Sequence, residues 1–191
     1  MLRPPSNAHF EMNTMNKKFF LTGVLGRLKN DAGAYIEFVT ERNASNPEGI
    51  GFWGSVRLLM PVIEAISNAY HIKPESLLAE LGVRTPKLVW VLFRHSLIHN
   101  DFLQHGRYNE TDASWGLSFF GMNHIIQDEV IGLDLRTLYN DLVSYLEKEI
   151  ENDSGEDDVE IIVGVIWESP EEKIINEFNL LAPKRLGTKY F

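Results

Sequence analysis

Arg94-His95-Ser96-Leu97-Ile98-His99 sets an arginine and a histidine in one short string, with four residues between them. A guanidinium can hold a phosphate through two parallel hydrogen bonds and stabilise added negative charge. An imidazole can take or deliver a proton near neutral pH. Together they are the groups that in-line cleavage of an RNA phosphodiester needs: a base for the 2′-hydroxyl proton and a cation for the pentacoordinate phosphate. His95, Asn100 and Arg107 stand close by in the sequence as auxiliary substrate-binding groups.

Two other readings use the same residues. In the first, Arg94 is a surface ion-pairing residue and His99 caps a helix C-terminus, where cationic groups are favoured. In the second, His95 and His99 share a helix face and grip a metal ion, with His105 or His124 as a third ligand. His95-Ser96-Leu97-Ile98-His99 lacks the glutamate of the zinc-hydrolase pattern His-Glu-x-x-His, so no metal ligand and no cofactor are expected. Gly49-Ile50-Gly51-Phe52-Trp53-Gly54 has the wrong spacing for a nucleotide-binding turn and reads as the start of a helix. Trp53, Trp90, Trp115 and Trp167 read as core or interface residues rather than base-stacking platforms.

The elements that must position these groups are mostly helical. A first helical stretch is expected from Asn13 to Arg42, broken near Asn30-Asp31-Ala32-Gly33. A second runs from Phe52 to Tyr70, with Val56, Leu59, Met60, Ile63 and Ile66 as its apolar stripe and a kink at Pro61. A short helix spans Glu75 to Leu81. Thr85-Pro86 opens the motif helix, Pro86 to about Asn100, with Thr85 as cap. Its Leu88, Val89, Val91, Leu92 and Phe93 lie on more than one face, which places it at the centre of the fold. Short apolar runs on either side of Gly121 predict a β-hairpin at about 113–127. Asp134 caps a further helix, Leu135 to about Ile150. The acidic run Glu151 to Asp158 reads as a solvated linker or loop, and Val159 to Trp167 as a strand. Ser169-Pro170-Glu171-Glu172 starts a last short helix before a basic tail.

The chain of 191 residues, 44% hydrophobic, is long enough to bury a real core. A division into residues 1–150 and an appendage, 151–191, is expected. With no cysteine there is neither a disulfide framework nor thiolate chemistry. No secretory leader is legible, and no apolar run is long enough to span a bilayer, so the expected location is the cytoplasm. A net charge of −9 argues against indiscriminate coating of nucleic acid. The acids cluster between Glu147 and Glu160, however, whereas Arg84 to Arg107 is basic and rich in histidine.

The string Leu92-Phe93-Arg94-His95-Ser96-Leu97-Ile98-His99-Asn100 near the end of a buried helix resembles the HEPN superfamily, over about Phe52 to Ile150. The resemblance implies a mainly α fold, an up-and-down helical bundle that dimerises through its motif helices. Here it would carry a β-hairpin insertion and a small α+β C-terminal extension. It further implies a metal-independent endoribonuclease of toxin or defence type, with an antitoxin or another protein as partner. Arg94 would then bind phosphate and His99 would act as general acid or base. His95 takes a position where the family commonly has another polar residue, often asparagine. The competing expectation is a non-catalytic helical module that binds a partner protein or a nucleotide.

Overall fold

The computed structural model describes residues 8–45, 51–96, 106–108, 111–119, 126–127 and 130–167. The chain divides into two compact units, one of residues 14–161 and one of segments 1–13 and 162–191. The elements begin with β1 (Ala8–Asn16), α1 (Lys17–Arg27), a π-helical segment π1 (Leu28–Gly33) and α2 (Ala34–Ser45). They continue with α3 (Phe52–Ala69), α4 (Pro74–Glu80), α5 (Pro86–Val89) and a second π-helical segment, π2 (Trp90–Ser96). Next come β2 (Gly106–Tyr108), β3 (Thr111–Ser118), β4 (Ile126–Gln127), β5 (Val130–Asp134), α6 (Leu135–Asn152) and β6 (Asp158–Trp167).

The larger unit is mainly helical, and its core follows the periodicities of the sequence. Val56, Leu59, Met60, Ile63 and Ile66 are each fully buried on α3, and Leu135, Leu138, Leu142 and Leu146 on α6. Spacings of three and four residues put each set on one stripe, and burying such a side chain is worth roughly 1.5–3 kcal/mol. The helix α3 runs on through Pro61, which brings no N–H of its own to the helical ladder.

Several local expectations are corrected. The first helix begins at Lys17, not Asn13, because Ala8–Asn16 pairs as a strand with β6 in a two-stranded sheet. Asn16 ends that strand and caps α1: its Oδ1 accepts from the Phe19 N–H at 3.1 Å, and its Nδ2 donates to the Gly155 carbonyl at 2.8 Å. The gap at Asn30–Gly33 does not break the helix; the chain winds through it as π1. The acidic run is not a solvated linker throughout. Here α6 continues to Asn152 and the buried Asp153 turns the chain, its Oδ1 accepting from the Gly155 N–H at 2.8 Å. Gly155, at φ 83°, takes the left-handed conformation that the turn requires.

The hairpin expected around Gly121 is replaced by a four-stranded sheet in the order β2-β3-β5-β4. Strand β3 pairs antiparallel with β2, and parallel with β5 from Ser114 opposite Val130 to Ser118 opposite Asp134. Strand β4 lies antiparallel to β5, not beside β3. Proximity in sequence suggested the wrong partner, because a parallel pair needs a crossover and no short-range signal marks it. What β3 gains is a neighbour that leads directly into α6, with Leu133 buried in the core. The short helix expected after Ser169 and the basic tail lie outside the described residues.

Candidate functional site

The motif helix starts without the expected threonine cap. Thr85 makes no side-chain capping bond, although its carbonyl accepts from the Val89 N–H at 2.9 Å. After a single α-helical turn the winding changes to π2, with hydrogen bonds from i to i+5. Of the multi-faced pattern, Val89, Leu92 and Phe93 are buried and Leu88 is partly buried, whereas Val91 is exposed; Trp90 is buried beside them.

Arg94 sits on π2 with only 15% of its side chain accessible. Its Nε donates to Glu64 Oε2 at 3.0 Å, and its Nη2 donates to the same oxygen at 2.6 Å. Glu64 lies on α3, the helix packed against π2, and its side chain is 36% accessible. The guanidinium carbon of Arg94 also lies 6.0 Å from the centre of the Trp90 ring, one turn earlier. One carboxylate oxygen thus holds the Nε–Nη2 edge of the guanidinium, and an indole stands at its side.

The other sequence-predicted groups are placed less completely. His95 continues π2 and Arg107 lies in β2 opposite Asp112, for both of which the backbone alone is described. His99 and Asn100 lie outside the described residues, as do His105 and His124 of the metal reading. Among the described residues, no three of the histidines, aspartates and glutamates stand close enough together to hold a metal ion. Arg94 is ion-paired, as one of the competing readings held, but half-hidden between helices rather than on the surface.

Glu64 was not found by the sequence reading. Its signal was nevertheless there: in the apolar helix α3, Arg57 and Glu64 are the charged residues, and Glu64 stands next to the stripe residue Ile63. A lone acid at the edge of a buried face needs a cation, and Arg94 supplies it.

A second polar cluster joins the ends of three helices. Tyr70, after α3, donates its hydroxyl to Glu149 Oε2 at 3.1 Å, and Lys17 pairs with the same oxygen at 3.3 Å. The Lys17 ammonium lies 5.0 Å from the centre of the Tyr70 ring. Burial, and then the Glu149 carboxylate, push the Tyr70 phenol far above its ordinary range. Burial does the same to Tyr145, with Glu149 and Glu80 adding to it. A groove of about 220 Å³ runs between α1, π1 and α3, with Leu28, Leu58 and Val62 among its apolar lining and Arg27 and Asp31 as its charged members. It does not include Arg94.

No helix of the described residues is long and apolar enough to cross a membrane. Comparison with family models, with curated proteins and with solved structures yields no match.

Proposed function

We propose that this chain is an HEPN-like endoribonuclease that works as a homodimer, with Arg94 as the phosphate-binding cation and His99 as general acid and base. The observation that carries this reading is the π-helical winding at Arg94. π-Helical turns gather at functional sites. In an α-helix, positions five apart point about 140° away from each other. A winding bonded from i to i+5 brings such positions to nearly one face. Five is also the step in sequence from Arg94 to His99; π2 is described as far as Ser96, and His99 lies outside the described residues.

The chemistry is metal-independent. A base removes the 2′-hydroxyl proton, the 2′-oxygen bonds to phosphorus, and the 5′-oxygen leaves with a proton from the acid. The products are a 2′,3′-cyclic phosphate and a 5′-hydroxyl. Arg94 stabilises the charge that builds on the non-bridging oxygens. His95, Asn100 and Arg107 are the auxiliary groups of this reading.

The test is cleavage of a labelled single-stranded RNA by purified protein. Arg94→Ala and His99→Ala are each expected to abolish cleavage while circular dichroism and melting stay close to wild type. A wild-type protein that cleaves no RNA, together with variants as harmless or as toxic to cells as wild type, would end the enzyme reading.

The second reading, a non-catalytic module for a partner protein or nucleotide, is favoured by one observation. Both the Nε and Nη2 donors of Arg94 go to Glu64, a bond that a phosphate would have to share or displace. The net charge of −9 points the same way, since affinity for RNA grows with phosphate contacts.

A further inference from the structure

The Glu64–Arg94 bond can act in two opposite ways on a phosphate-binding arginine: it can compete with the phosphate or it can aim the cation. We infer that Glu64 is a positioning residue, which turns the Arg94 guanidinium toward the scissile phosphate; the inference rests on the ribonuclease reading above. The geometry favours aiming. Glu64 contacts the guanidinium from one edge, with Nε at 3.0 Å and Nη2 at 2.6 Å from a single oxygen. A bond at Nε fixes the inner end of the fork, next to the aliphatic stem, and so sets the direction of the outer edge.

The surroundings make the orientation firm. The indole of Trp90, only 6% accessible, stands 6.0 Å from the guanidinium carbon, so a buried ring limits swinging on that side. Glu64 itself springs from α3 between the fully buried Ile63 and Ile66, so its backbone is held by the core. An arginine on a long stem loses much freedom when ordered, and ordering it beforehand spares that loss when substrate binds.

The role is read from steady-state cleavage of a labelled RNA by wild type, Glu64→Gln, Glu64→Asp, Arg94→Lys and the double variant Glu64→Gln/Arg94→Lys. Loss of aim is expected to lower kcat roughly tenfold to hundredfold in Glu64→Gln, with KM within about twofold of wild type. Glu64→Asp, which keeps a carboxylate, retains more kcat than Glu64→Gln. Lysine has no Nε edge for Glu64 to hold, so Glu64→Gln adds no further loss in the Arg94→Lys background. Wild-type kcat in Glu64→Gln, or losses that multiply in the double variant, would overturn the role. A lowered KM at unchanged kcat would make Glu64 a competitor and overturn it equally. If wild type itself cleaves nothing with Glu64 intact, the ribonuclease reading falls and takes the role with it. That pattern is distinct from an active wild type indifferent to Glu64.

Discussion

At the scale of single residues, the polar side chains that matter each serve two elements. Asp134 is 2% exposed, and its two oxygens are divided between neighbours. Oδ1 accepts from the Thr137 N–H at 2.8 Å and caps α6; Oδ2 accepts from the Ser118 hydroxyl at 2.5 Å, at the end of the β3–β5 pairing. Removing a cap costs about 0.5–2 kcal/mol, and leaving a buried partner unsatisfied costs about 1–3 kcal/mol. Asp134→Ala should therefore destabilise the fold by roughly 2–4 kcal/mol in urea denaturation, and Asp134→Asn by clearly less. The cap was legible because an aspartate before an apolar run is a local signal. The pairing of Glu64 was not, since its partner Arg94 lies thirty residues further on. A bond between two helices leaves no mark in the periodicity of either.

At the scale of elements, stripes were legible and windings were not. The apolar spacings of α3 and α6 gave their buried faces correctly, whereas π1 and π2 look like ordinary helix or like a gap. One extra residue per turn changes which side chains share a face but not the composition. Helix packing adds a further layer that the sequence hides. A Cβ at Gly54 of α3 would lie 2.7 Å from Tyr35 Cζ on α2, so the helices meet where a side chain is missing. Intrinsic propensity alone favours alanine over glycine by about 1 kcal/mol in a helix. The steric conflict is larger, so Gly54→Ala should lower stability by roughly 1–3 kcal/mol. Gly26→Ala in α1 is the matching control. Nothing lies within 4 Å of its added Cβ, and the substitution should raise stability by up to about 1 kcal/mol in the same denaturation experiment.

At the scale of the whole molecule, the hardest features to read were pairings between distant segments. The β1–β6 sheet joins opposite ends of the chain, and β3–β5 skips over the nearer β4. The cluster that ties α1, α3 and α6 is of the same kind, since Lys17, Tyr70 and Glu149 are far apart in sequence. That cluster gives the larger unit a specific response to alkali. Tyr70 and Tyr145 are both held protonated by burial and by the Glu149 carboxylate, so their folded values lie above the ordinary phenol range. In the unfolded chain each ionises near pH 10. Below that pH, both states carry the phenolic proton and stability does not depend on these groups. Above it, the unfolded chain binds fewer protons than the folded one, so stability falls as pH rises toward the raised folded values. Urea midpoints should thus be level with respect to these tyrosines from pH 8 to 9.5 and decline from pH 10 to 11.5. Tyr70→Phe and Tyr145→Phe should each flatten the decline, and the double variant should flatten it most. A decline equally steep in the double variant would assign the alkaline response to other groups.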